Sequence, residues 1–232
     1  MRQPAHRSID EKLLSILAGI DLFYGFSSEE ILALCMKMTP KVRDFDRDEV
    51  VLAEGDDASR IGLICMGKIS VSKVSGDGSE HILALHETGE LMGLDGAFSH
   101  PCTSPLTFTA LEKCEVLFLS IGIVHSEAID LQTANRLMRN LNTMFADKCV
   151  RLLYKTEVLS KRSLRTRIMT YLRIQQRKQE RNTIYLRMDR EQFAQYLCVN
   201  RSALSRELSD MQRSGIIKIE SDGAVTLKDP EF

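Results

Sequence analysis

The sequence predicts an α+β chain: flanking helices around a small β-barrel or jelly roll, then one long amphipathic helix, then a C-terminal winged helix-turn-helix. Three observations carry this. Apolar residues recur with helical spacing near the N-terminus but give way to short strand-like runs between residues 41 and 121. A seam of apolar residues three and four apart runs for about thirty residues after Val124. Between Met188 and Ile217 the pattern reads as two short helices around a three-residue turn.

Residues 8 to 39 read as helical. Leu13, Leu14, Leu17 and Ile20 share one face, and Ser27-Ser28-Glu29-Glu30 opens a second helix carrying Ile31, Leu32, Leu34 and Cys35, which Pro40 stops. Val50 to Ala53, Ile61 to Met66, Lys68 to Val74 and His81 to His86 then read as strands, and Ser75-Gly76-Asp77-Gly78 is a hairpin signal because Asp-Gly accepts the positive φ angles of a tight turn. Strands this short and regular suggest a barrel or jelly roll. In the long helix, Leu131, Ala134, Met138, Leu141, Phe145, Cys149 and Leu152 alternate spacings of three and four. At 1.5 Å per residue such a helix is about 45 Å long and outruns a small domain, so the stripe containing Met138, Leu141, Phe145 and Leu152 is expected to pack on a second copy of itself. The competing reading lays the helix wholly against its own barrel. Leu159 to Arg167, with Lys161, Arg162, Arg165 and Arg167, joins the two halves.

In the helix-turn-helix, Asp189 is placed to cap the first helix and Gln192 to reach back to the cap backbone. Phe193, Ala194 and Leu197 fall on one face. Asn200 caps the second helix, Leu204, Leu208 and Met211 turn inward, and Gly215 ends it. Arg201, Ser202, Ser205 and Arg206 are then left on the outer, N-terminal part of the second helix, the part that enters a major groove. Arginine there pairs bidentately with guanine, and serine contacts base edges or phosphates. Two arginines on an exposed helix are by themselves an ordinary solvated face; it is the cap, the small Ala194, the turn length and the following hairpin that favour DNA. That hairpin is read from Ile216 to Ile219, the Ser221-Asp222-Gly223 turn and Ala224 to Leu227, with Thr183 to Met188 as a further strand.

The net charge of −1 hides a split. Residues 159 to 232 hold 15 Lys+Arg against 9 Asp+Glu, while residues 1 to 158 hold 16 against 23, so the halves carry +6 and −7. A basic C-terminal module beside an acidic one fits a polyanion-binding domain attached to a domain of another kind. The longest apolar run, Val116 to Val124, is interrupted and too short for a membrane span, and MRQPAHRSIDEK lacks a hydrophobic secretory core, so a cytoplasmic chain is expected. Six cysteines, at 35, 65, 102, 114, 149 and 198, include no Cys-x-x-Cys pair and read as reduced thiols. No catalytic triad order appears, and the histidines at 6, 81, 86, 100 and 125 show no metal-ligand spacing, so an enzyme or a metal site finds no support.

The order helices, barrel, long helix, winged helix-turn-helix resembles the Crp/Fnr family of bacterial transcription regulators over nearly the full chain. The resemblance is carried by Glu54-Gly55-Asp56-Asp57-Ala58 followed by Ile64-Cys65-Met66-Gly67-Lys68, and more specifically by Arg201-Ser202-Ala203-Leu204-Ser205-Arg206 in the recognition helix. Cys198 stands where the family often has a turn glycine. The resemblance implies a homodimer whose cyclic-nucleotide-binding-like barrel senses an effector, whose paired recognition helices read a palindrome with Asn200, Arg201, Ser202, Ser205 and Arg206, and whose partners include double-stranded DNA and RNA polymerase. It implies domains at 1–123 (effector-sensing barrel with N-terminal helices), 124–158 (dimerisation helix) and 159–232 (winged helix-turn-helix). Gly93, Leu94, Asp95 and Gly96 align with the effector cassette, but Leu94 replaces its glutamate, Ser104-Pro105 replaces its Arg-Ser pair, and no Lys or Arg occurs between Lys73 and Lys113. A buried phosphate without a cation is costly, which argues against cyclic AMP. The lone Cys35 argues against an N-terminal iron–sulfur cluster, and His81, His86 and Cys65 read as structural side chains rather than haem ligands. Two alternatives stay open: a barrel-type regulatory subunit of a signalling enzyme, which the basic helix-turn-helix disfavours, and a thiol redox switch at a cysteine such as Cys102.

Overall fold

The computed structural model describes residues 10–74, 76, 80–186, 188–221 and 223–228. The N-terminal segment, the hairpin signal at Ser75, Asp77 and Gly78, the side chain of His81, and Asp222 lie outside the described residues. The chain divides into two compact units, residues 1–144 and 145–232.

The first unit opens with α1 (Glu11–Ala18), capped by Asp10, and α2 (Ser28–Lys37), started by a reciprocal box in which Ser27 accepts from the Glu30 amide and Glu30 accepts from the Ser27 amide. Eight strands follow: β1 (Lys41–Phe45), β2 (Val50–Leu52), β3 (Arg60–Met66), β4 (Lys68–Val74), β5 (Glu80–Glu87), β6 (Leu91–Met92), β7 (Thr107–Ala110) and β8 (Cys114–Ser120), with a short helix α3 (Leu94–Ala97) between β6 and β7. They form two antiparallel four-stranded sheets, β1-β8-β3-β6 and β2-β7-β4-β5. Phe45, Ile64, Ile69, Val71, Met92, Phe108 and Val116 fill the space between them. Because strand side chains alternate, β3 and β8 also present Ile61, Leu63, Cys65, Leu117 and Leu119 to the opposite face, which packs on α1, α2 and the first half of α4 (Leu131–Leu159). The middles of these two strands are covered on both sides, hence the apolar runs at residues 61–66 and 116–119.

Two expectations are corrected here. The long helix starts at Leu131, not near Val124: Ile121–His125 is a 3₁₀ turn whose Ile121, Ile123 and Val124 are buried, and Asp130 accepts from the Thr133 amide to cap α4. Leu141 does not belong to an exposed seam. It is 1% exposed and packs with Leu137 in the core of the first unit. The stripe that stays accessible keeps Leu131, Met138, Phe145, Cys149 and Leu152 of the expected seam and runs through Asn135 and Asn142 in place of Ala134 and Leu141, with Leu131 and Leu152 exposed at 77% and 54%.

The second unit contains the remainder of α4, then α5 (Leu164–Gln179), β9 (Thr183–Ile184), α6 (Arg190–Tyr196), α7 (Arg201–Arg213), β10 (Ile217–Ile219) and β11 (Val225–Leu227), the strands pairing in the order β10-β11-β9. β9 has only two residues of the segment expected to be a strand. α5 was not anticipated. Ser163 caps it, Ile168, Met169, Tyr171, Leu172 and Ile174 are buried, and Arg177 and Lys178 occupy the last turn, where cations suit the helix dipole. Its core partners are Phe193, Ala194, Leu197, Leu204, Leu208 and Met211.

Candidate functional site

The helix-turn-helix is built from α6 and α7. Asp189 accepts from the Gln192 amide while Gln192 accepts from the Asp189 amide, at 2.8 and 3.0 Å, and so starts α6 where the capping pattern places it. Ala194 is fully buried in the core of this unit. Tyr171 of α5 packs on Phe193 and Tyr196 with ring centroids 4.8 and 5.2 Å apart, and burial pushes its hydroxyl up to about 12.

Two helix ends in this unit close in the same way. After α7, Gly215 (φ +73°) donates to Gln212 O and Ile216 to Met211 O; after α6, Cys198 (φ +56°) donates to Gln195 O and Val199 to Ala194 O. Both are nested hydrogen bonds around a left-handed residue, an arrangement that glycine adopts freely and a Cβ-bearing residue does not. The turn before the recognition helix thus carries local strain that its counterpart after α7 lacks.

Asn200 caps α7, its Oδ1 accepting from the Ala203 amide and from Ser202 Oγ, both at 2.8 Å. Its side-chain carbonyl is therefore committed to starting the helix. Leu204, Leu208 and Met211 are buried, so Arg201, Ser202, Ser205 and Arg206 lie exposed on the opposite face. Neither arginine has a hydrogen bond or ion pair among the described residues. The carboxylate next to Arg206, Glu207, is drawn aside by Arg165 Nε at 2.6 Å. The result is a cationic, hydroxyl-bearing face on the first two turns of a helix held from behind.

The barrel cassette is arranged differently from a polar binding loop. Gly93 is left-handed (φ +75°) and starts α3, and an added Cβ there would meet Arg60 O only at an ordinary 3.5 Å, so the backbone angle alone requires glycine. Leu94 packs with the apolar core of the first unit. At Gly96 an added Cβ would lie 2.6 Å from Ala58 Cβ and 2.8 Å from Thr103 O, so this glycine serves close packing rather than ligand approach. Of the four expected effector residues only Asp95 offers a polar side chain. Ser104 is 2% exposed and its hydroxyl donates to Leu106 O at 2.6 Å, while Lys73 is engaged by Glu54 at 2.9 Å and by Pro105 O. The Ser104 hydroxyl and the Lys73 ammonium are thus both engaged within the chain.

Among the cysteines, Cys35 is buried and its thiol pushed up to about 12; Cys114 is also raised by burial. Cys102 is half-buried with its Sγ 3.7 Å from Ala97 O, and Cys149 and Cys198 are exposed. Among the described residues no cluster of metal-ligating side chains occurs, and no helix is long and apolar enough to cross a membrane.

A two-sheet sandwich with helical flanks and a separate winged unit that presents a cationic helix defines a DNA-binding regulator. Residues 42–125 match the cyclic nucleotide-binding domain and residues 166–232 the Crp-like helix-turn-helix domain. The chain is 26% identical over 230 residues to a CRP-like cAMP-activated global transcriptional regulator of Mycobacterium tuberculosis, covering 93% of this chain and 96% of that protein. It is also 26% identical over 210 residues to the transcriptional activator protein FnrA of Stutzerimonas stutzeri, covering 88% and 83%. The structure of FixK2 from Bradyrhizobium japonicum, 21% identical, shares the fold with a TM-score of 0.52 over 82% of this chain and 93% of that one. The chain belongs to the Crp/Fnr family of DNA-binding transcription regulators.

The turn strain yields a direct prediction. A left-handed residue with a Cβ costs about 1–2 kcal/mol, partly offset by the greater unfolded-state freedom of glycine, so Cys198→Gly should stabilise the protein by about 0.5–1 kcal/mol. Urea titration reads this as a higher midpoint with an unchanged slope; a lower midpoint would show that the thiol contributes packing that outweighs the strain.

Proposed function

We propose that the protein acts as an effector-responsive homodimer that reads a near-palindromic operator through α7 and meets RNA polymerase there. The observation that carries the reading is the one-sided burial of α7, which leaves Arg201 and Arg206 exposed, without ion-pair partners among the described residues and about one and a half turns apart, with Ser202 and Ser205 beside them. Bidentate guanine recognition needs a guanidinium free of internal partners. The dimer reading rests on the accessible α4 stripe, Leu131 to Leu152, which has the spacing of a two-stranded coiled coil and has Asn135 and Asn142 as polar positions that fix register. For the effector, the spent Ser104 and the apolar placement of Leu94 favour a ligand other than cyclic AMP and less charged. The Mycobacterium tuberculosis relative is cAMP-activated; here the Ser104 hydroxyl and Lys73 are engaged by Leu106 O and Glu54, which disfavours a phosphate among the described residues.

Arg206→Ala should weaken the cognate site by about 1–3 kcal/mol and relax discrimination at one base pair. Competition binding against a panel of single-substitution operators measures both, and equal weakening on cognate and random DNA would reduce Arg206 to a phosphate contact. With two recognition helices on successive major grooves, half-site centres should be about 10 bp apart.

Phe145→Lys or Leu152→Lys, which places charge in the accessible stripe, should yield monomers by sedimentation with much weaker operator binding. Leu141→Lys should instead unfold the first unit, visible as a lost thermal transition. Monomers from Leu141→Lys with native stability would put the seam back on its original stripe.

Cyclic AMP should neither bind at micromolar concentration in calorimetry nor tighten operator binding. Micromolar binding coupled to operator affinity would reverse the effector reading.

A further inference from the structure

We propose that Arg167 is a positioning residue for DNA reading: its guanidinium ties the segment that follows α4 to the turn before α7 and holds that turn in its left-handed form. The inference rests on α7 being the reading helix, and goes beyond it to what aims that helix.

Arg167 lies in the first turn of α5. Its Nε donates to Lys161 O at 2.9 Å and its Nη1 donates to Leu197 O at 3.2 Å, both bonds partly buried. Lys161 belongs to the junction between α4 and α5, with its amide bonded to Val158 O. Leu197 is the C-cap of α6. The nested bonds of the turn use the carbonyls of Ala194 and Gln195, so the Leu197 carbonyl lies outside them and takes its donor from Arg167. A cation at a helix C-terminus is favourable twice over, as a charge-assisted donor and against the helix dipole. The position matters because the next residue is Cys198, where the backbone is strained. A bond fixing the Leu197 carbonyl opposes relaxation of Cys198 to an ordinary φ, and any such relaxation would swing the N-terminus of α7, where Arg201 and Arg206 sit. Two residues earlier on the same turn of α5, Arg165 grips Glu207 in the middle of α7. The first turn of α5 thus holds the recognition helix at its body and its lead-in turn. Because the other arm of Arg167 is on the Lys161 carbonyl, a change in the junction after α4 reaches the turn through one side chain.

The role differs from a DNA contact in what its loss does. Wild-type protein is first used to select its operator from random duplexes; Arg167→Met, Cys198→Gly and the double variant are then compared on the selected site and on random DNA across a salt series. Arg167→Met should lower cognate affinity roughly ten- to a hundredfold, the range of one hydrogen bond to a charged group, with random-DNA affinity and salt slope unchanged. Cys198→Gly should restore most of that loss in the double variant, since glycine holds the turn without help. Arg167→Lys, which reaches one carbonyl but not both, should fall between, and carries the same test if Arg167→Met does not fold. A salt slope lowered by about one, with equal losses on both DNAs, would make Arg167 a phosphate contact and overturn the proposal. An unaffected cognate affinity, or no recovery with Cys198→Gly, would overturn it as well. Selection that enriches no sequence overturns the reading of α7 and this proposal with it, whereas an enriched site that Arg167→Met binds normally defeats this proposal alone.

Discussion

The recognition surface exists because α7 is buried on one side only. Leu204, Leu208 and Met211 are at most 2% exposed, and withdrawing each from water contributes about 1.5–3 kcal/mol. That is far more than any exposed arginine gains by folding back. Burial therefore fixes the rotation of the helix about its axis, and the charged residues at the intervening positions have nowhere to lie but outward. The rotation alone does not set the tilt of the helix; tilt comes from the four residues between α6 and α7, whose conformation is held by nested backbone bonds and by a guanidinium from α5.

A similar division of labour operates along α4. One stripe, Leu137 and Leu141, meets the outer face of the β3 and β8 sheet and belongs to the first unit. A neighbouring stripe keeps Leu131 and Leu152 at the surface. A single helix serves two apolar surfaces because 3.6 residues per turn allows parallel stripes offset by about one residue, each with three-four spacing. The ion pair of Arg136 with Glu30, with the Arg136 guanidinium over the Phe26 ring at 3.9 Å, further holds the early part of α4 to the N-terminal helices, and the arginine holds the Glu30 carboxyl below its ordinary value.

Much of this was legible in the sequence where one interaction decides the structure locally. The Asp189 and Gln192 box, the Asn200 cap and the inward trio of α7 depend on spacing within a few residues, and β2 to β5 fall within two residues of the runs that predict them. What depends on distant partners was not. Leu141 and Asn142 are equally good continuations of a three-four pattern, and only the apposed sheet decides which is buried; by polarity alone Leu141 is the better seam residue. α5 escaped notice because its buried positions, Ile168 to Ile174, are crowded together among Arg165, Arg167, Arg173 and Arg177 and cover a wide arc instead of a narrow stripe. Gly96 reads as a flexible or ligand-facing glycine until Ala58 and Thr103, both distant in sequence, are seen pressed against it.

The division between the two units at residues 144 and 145 falls inside α4, not in a loop. Domain boundaries usually lie in exposed linkers, where proteases cut and where one domain can melt without disturbing the next. Here the backbone at the boundary is hydrogen-bonded to residues four positions away on either side, so it resists nicking as a helix does. A fragment ending at residue 144 would keep the Asp130 cap but only the first 14 of the 29 residues of α4.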